Sequence, residues 1–297
     1  MNNRLRPWLL LFTAFAQGSH AQIAPSDRES VGLAAEQAGQ LRQALDDYIA
    51  ALQGLSEPPP AEADRRLRER IIRVALKLDP PPATPAEVQQ QITAGEMASK
   101  SAQVPKDFQA AISEFRSALR TAPWLGIGYF DLGELQEKMR DYPAAARSFE
   151  FYLLAVPSAK NADSIQKRIT ELRGRFPAMY LQTHSIFTQS ALRPAWAMGS
   201  GGELIVSNSS IQFHDPGEPK HSFAFPVSEL RSLERRHGPE GFPVLRLKLQ
   251  DGKKYDLVPD VSVGGSAAEP MKALYELGDA MEKAIREMAS QRGITLQ

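Results

Sequence analysis

With 297 residues, 42% of them hydrophobic, the chain is long enough for two domains of ordinary size, each with its own core. Lysine and arginine number 35 and are balanced by 35 aspartates and glutamates, so no net charge points to nucleic acid or an anionic membrane as partner. There is no cysteine, which excludes a disulfide framework, a lipid-modified cysteine and a thiolate zinc site.

Arg4 and Arg6 precede an apolar run from Trp8 to Phe15 and then Ser19-His20-Ala21, which places small residues three and one before a cut. The pattern predicts a signal peptide over 1–21 and an exported protein, periplasmic or secreted if the source is bacterial. Its apolar run is far short of the ~20 residues that span a bilayer as a helix, so no membrane span is expected. Losing Arg4 and Arg6 with it takes the 35 basic residues to 33 against 35 acidic ones.

Residues 28–78 read as an N-terminal helical region. From Arg28 to about Leu55 the chain is rich in alanine, glutamine and leucine, with Gly32, Ala44, Tyr48 and Ala51 at spacings that return later in the chain. Pro58-Pro59-Pro60 stops it. The next helix, 61–78, carries Leu67, Ile71, Val74 and Leu78 on one face and Arg65, Arg66, Arg68, Arg70, Arg73 and Lys77 on the other. With Glu62, Asp64 and Glu69 interspersed, the basic face reads as solvated. Pro80-Pro81-Pro82 and Pro85 form a stiff link, which leaves this helix without a hairpin partner.

The regular part is 86–175. A first helix runs from Ala86 to about Ala102, and Asp107 is a candidate N-cap for a second over Phe108–Arg120. Leu125–Arg140 and Tyr142–Ala155 form the next pair, and Asn161–Arg173 a terminal cap. Ala111, Phe115, Ala118 and Pro123 recur thirty-four residues on as Ala145, Phe149, Tyr152 and Pro157, and Tyr129, Leu132 and Gly133 open the second unit.

These residues resemble the tetratricopeptide repeat family. Tyr152 stands where a small residue is usual, and Gly95 and Ser99 where the earlier copy should carry an aromatic and a glycine. The resemblance implies an all-α superhelix of hairpins whose first helices line a concave groove for a protein or peptide segment. The groove positions fall on Glu96, Lys100 and Gln103, then on Ile127, Phe130, Glu134, Glu137 and Lys138. Few of these suit a clamp for a terminal carboxylate. An acidic, partly apolar groove suits a basic or amphipathic segment, since opposite charge steers encounter and an aromatic anchors it. The competing reading is that they are ordinary solvated helix positions.

Past Phe176 the spacing changes to alternation: Leu204/Val206, Ile211/Phe213, Phe223/Phe225, Leu245/Leu247/Leu249 and Tyr255/Leu257, with a further strand at Glu229–Arg235. Asp215-Pro216-Gly217 and Asp251-Gly252 mark turns. Between Tyr180 and Gly202, Ile186, Phe187, Leu192, Trp196 and Met198 suit either a first strand or packing between the domains. A helix follows from Pro270 to Ala289, with Leu274, Leu277, Met281, Ile285 and Met288 on one stripe. The 180–297 part is therefore expected to be a mainly antiparallel β domain closed by a C-terminal helix. Its layout resembles pleckstrin-homology-like domains, which implies binding of a peptide or lipid headgroup. Lys220, Arg235, Arg236, Lys248, Lys253 and Lys254 are the candidate anion contacts, against a reading as ordinary surface charge.

Chemistry is sparse. His214 and His221 flank a Pro-Gly loop with Asp215 and Glu218 beside them, which is the one cluster resembling a metal or catalytic site, and it lacks a defined third ligand. His184 and His237 have no companions. Gly199, Gly201 and Gly202 precede a strand, whereas a phosphate cradle follows one, and Gly264-Gly265-Ser266 has no nucleophile-elbow frame. The expectation is a non-enzymatic scaffold that needs no cofactor. The alternative is an enzyme or metal binder using the His214/His221 loop.

Overall fold

The computed structural model describes residues 24–57, 59–104, 107–181, 200–207, 209–238, 241–260 and 270–296. The expected signal peptide, His184, the stretch Ile186 to Met198 and Gly264-Gly265-Ser266 lie outside them. Helices come first: α1 Pro25–Gln37, α2 Leu41–Gln53, α3 Ala61–Lys77, α4 Ala86–Ser101, α5 Phe108–Thr121, α6 Gly126–Lys138, α7 Tyr142–Ala155 and α8 Ala162–Arg173. Among the described residues seven strands and a last helix follow: β1 Arg175–Leu181, β2 Ser200–Val206, β3 Ser210–His214, β4 Phe223–Pro226, β5 Leu230–His237, β6 Pro243–Leu249, β7 Lys254–Pro259 and α9 Pro270–Gln291.

Three hairpins, α1/α2, α4/α5 and α6/α7, close on the same contact. A glycine of the first helix lies against an aromatic ring of the second. A Cβ placed on Gly32, Gly95 or Gly133 would come within 2.8, 2.9 and 2.9 Å of ring carbons of Tyr48, Phe115 and Phe149. Those rings are almost fully buried. The repeat spacing puts the glycine of the middle hairpin at Ser99, whereas the structure puts it at Gly95. The connection between α4 and α5 is longer than in the other two hairpins, and a shift of four residues is about one helical turn, so the same face is kept. Asp107 does not cap α5. Its carboxylate turns back to accept from the amides of Gln103 and Val104, at 2.9 and 3.1 Å.

Two of the hairpins also turn alike. Gly39 and Arg140, each seven residues past its hairpin glycine, have left-handed φ of 75° and 59°. Each is followed by an amide that bonds back to the closing turn of the helix, Gln40 N to Ala35 O at 2.9 Å and Asp141 N to Gln136 O at 2.8 Å. Asp141 then caps α7 by accepting from Ala144 N.

Among the described residues no helix forms a hairpin with α3, which packs on α2 at one side and reaches α7 at the other. Ile72 enters the core built by Ala111, Ile112, Phe115 and Tyr129. The basic face of α3 is solvated at Arg65, Arg66, Arg73 and Lys77, whose side chains are more than half exposed, and departs from that reading at Arg68, which is largely covered. Arg66 makes a two-pronged bond to Glu29, Lys77 bonds Glu36, and Arg70 reaches Glu29 and the Tyr48 hydroxyl. Arg68 pairs with Asp64 at 2.9 Å and donates to Leu119 O and to the Tyr129 hydroxyl. Arg65 and Arg73 keep partners on their own helix.

The strands form one antiparallel sheet in the order β4-β3-β2-β1-β7-β6-β5. Two meanders meet where β1 pairs with β7, with Ala178 opposite Pro259. The sheet curls, so Phe223 of β4 stacks on Tyr255 of β7 with ring centroids 3.9 Å apart. From α9, Met281, Ile285, Met288 and Ala289 enter the core with Leu204, Phe213, Leu233 and Leu247. Arg286 bonds Leu233 O of the edge strand β5, and Arg235 of β5 pairs with Glu282, so α9 shields that edge.

The sheet starts directly after α8, ahead of the point where alternation becomes visible in the sequence. Val206 N donates to Gly174 O at 2.7 Å, Arg175 pairs with Glu203, and Arg140 donates to Gly202 O at 2.5 Å. These bonds tie β2 to the end of α8 and to the turn between α6 and α7.

Candidate peptide-binding groove

The first helices α4 and α6 and the cap α8 lie side by side. Ile92 of α4 approaches Gly128 of α6, and Arg168 of α8 bonds Glu137 and Glu134 of α6 at 2.7 and 3.4 Å. The face they share carries the residues that sequence spacing singles out. Ile127 is 55% exposed. Phe130 is half-buried and meets Phe149 and Tyr152 edge-on, at centroid distances of 5.9 and 5.2 Å. Those two rings fix its orientation, and the Tyr152 hydroxyl is itself held by Asn161 at 2.8 Å.

The charges are less uniform than the sequence suggests. Glu134 and Glu137 share Arg168, whose guanidinium lies 4.6 Å from the Phe149 ring centre, and Arg175 stands 3.8 Å from Glu137. The α8 side of the face is therefore neutralised. On the α4 side, Glu96 has, among the described residues, the looser Lys100, 4.0 Å away along the same helix. Lys138 is drawn over the Phe108 ring at 5.3 Å. Gln103 is exposed and bonded to Ser101 O.

Sequence spacing missed Asp131. Burial, and then the charges of Glu96 and Glu134, push its carboxyl up to about 6. An acid beside an aromatic in a helix gives no signal of its own, because its environment comes from helices thirty residues away. Arg168 is equally hidden, because the spacing within its own helix carries no sign of the α6 acids Glu134 and Glu137 that it meets.

The second candidate, the loop after β3, is built around Asp215. That carboxylate is fully buried and accepts from Gly217 N and Glu218 N, which makes it a turn-former. His221 Nδ1 lies 3.4 Å from it, while the His214 side chain is exposed on β3. Among the described residues no three histidine, aspartate or glutamate side chains gather into a set that could hold a metal. Four of the six candidate anion contacts of the sheet domain hold carboxylates: Lys220 with Glu218, Arg235 with Glu282, Lys248 with Glu234 and Lys253 with Asp251. Arg236 and Lys254 are exposed. Among the described residues no helix is long and apolar enough to cross a membrane.

No protein-family model matches the chain, and no curated protein matches it significantly.

Proposed function

We propose that the chain is an exported, non-enzymatic scaffold whose tetratricopeptide-type helices hold a segment of another protein. The observation that carries this reading is Phe130, braced by Phe149 and Tyr152 and set between exposed Ile127 and the acids Glu96 and Asp131. A half-buried, oriented aromatic costs little entropy when it binds, and acids around it favour a cationic partner. The repeated glycine-on-aromatic contact of three hairpins supports the repeat resemblance. The order of two meanders closed by a terminal helix supports the pleckstrin-homology-like one. In this reading the sheet domain gives the scaffold a second contact.

The test is titration of the mature chain, beginning at Gln22, with a basic amphipathic peptide and its charge-reversed counterpart. The basic peptide binds and the acidic one does not, and Phe130→Ala weakens binding at least about tenfold, as expected for loss of an interface anchor. Equal binding of both peptides, or an unaffected Phe130→Ala variant, overturns the reading. Export is tested by N-terminal sequencing of the protein from its native host, where Gln22 is the expected first residue.

A further inference from the structure

On the opposite side of α6 from Phe130, a cleft of about 390 Å³ opens between α3 and the helices α5, α6 and α7. Its size falls in the range of small-molecule sites, and a gap between packed helices is a usual place for one. The floor is apolar, from Leu52 of the first hairpin, Leu119 of the second, and Leu132 and Phe151 of the third. Gln136 and Ser148 add a buried polar pair, bonded to each other at 2.6 Å.

The charge of the lining is lopsided. Arg68, Arg116, Arg120 and Arg147 face two carboxylates, Asp64 and Glu57. Those two are already engaged, Asp64 by Arg68 and Glu57 by Arg120. Among the described residues, neither Arg116 nor Arg147 has a carboxylate within ion-pair distance. Both act at longer range on Asp141, a half-buried carboxylate committed to capping α7. Folding has thus brought together guanidinium groups that repel one another around a pocket with an apolar floor. A cleft lined by one sign of charge with low-dielectric walls concentrates ions of the opposite sign.

We propose that this cleft binds a small amphipathic organic anion, with its carboxylate or phosphate head at Arg116 and Arg147 and its apolar body on Leu132 and Phe151. Guanidinium groups suit both heads because their paired donors match two oxygens at once. The site is independent of the proposed peptide groove, since the two use opposite faces of α6.

Calorimetric titration of the mature full chain at low ionic strength tests this, with octanoate, phenyl phosphate, inorganic phosphate and octylammonium as probes. Octanoate or phenyl phosphate binds at one site per chain. Raising the salt weakens binding. Arg116→Gln with Arg147→Gln lowers affinity at least about tenfold, the scale of losing charge-assisted hydrogen bonds, while the melting temperature holds because both residues are exposed. Phe130→Ala leaves binding of these probes unchanged. The assignment is overturned if octylammonium binds as well as octanoate, if inorganic phosphate binds as tightly as phenyl phosphate, if the double variant binds like the parent, or if neither organic anion binds.

Discussion

Gly133 shows how much rests on a missing atom. Alanine at a helix interior is ordinarily better than glycine by about 1 kcal/mol. Here its methyl would meet three ring carbons of Phe149 at 2.9 to 3.0 Å, and that ring is completely buried. Overpacking wins, and Gly133→Ala is expected to destabilise by about 1–2 kcal/mol in urea unfolding. A neutral or stabilised variant would mean that the ring has room to move. Asp131 makes the opposite kind of contribution. Its folded carboxyl titrates at about 6 against an ordinary 3.8, so the folded state holds the proton more tightly. Its contribution is therefore most favourable below about pH 4, falls between about 4 and 6, and stays lower above that by about 1 kcal/mol, after discounting for its half-exposed position. Asp131→Asn should flatten stability across that window and raise it at pH 7 by a similar amount, as read by melting temperature against pH.

At the scale of elements, α3 is the joint of the helical part. Its apolar stripe was legible from spacing, and so was the absence of a hairpin partner. The destination of its arginines was not, because Glu29, Glu36 and Leu119 belong to other helices. The Arg66 guanidinium holds Glu29 below the usual carboxylate range. Arg68→Ala strands Asp64, which is 18% exposed, and removes the ties to α5 and α6, so it is expected to cost about 3 kcal/mol. A loss within about 0.5 kcal/mol, typical of exposed sites, would return α3 to the role of a solvated helix. The same packing bears on excised fragments. Residues 86–175 carry two complete hairpins and should fold as a helical unit. The fragment 59–175 should be more stable by several kcal/mol, because Ile72 fills the core around Phe115. Paired urea melts compare them directly.

For the whole molecule, Arg140 ties the two parts together. A left-handed φ of 59° costs a non-glycine residue about 1 kcal/mol, and its structural counterpart in the first hairpin is Gly39. The arginine side chain offsets that cost by donating to Gly202 O of the sheet. Arg140→Gly is therefore expected to leave the helical part as stable as before while separating the two unfolding transitions in calorimetry. A single unchanged transition would assign the coupling to Arg175 and Glu203 alone.

Local chemistry determined what this sequence could determine by itself. The thirty-four-residue recurrence marked the hairpins, the alternation from Leu204 to Leu257 marked antiparallel strands, and the apolar stripe of the last helix marked a sheet to cover, since each is written in the spacing of neighbours along the chain. The strand at Arg175–Leu181 was hidden because Phe176, Pro177 and Ala178 are buried one after another, so both faces are covered there and no alternation shows. Only the tertiary structure decided that Gly95 replaces Ser99 against Phe115, that Arg168 neutralises the α8 side of the face around Phe130 while Asp131 is pushed toward its proton, and that four arginines converge between α3 and α7. Those outcomes depend on which distant helices meet and at what depth from water, and the spacing of residues along one helix carries no record of either.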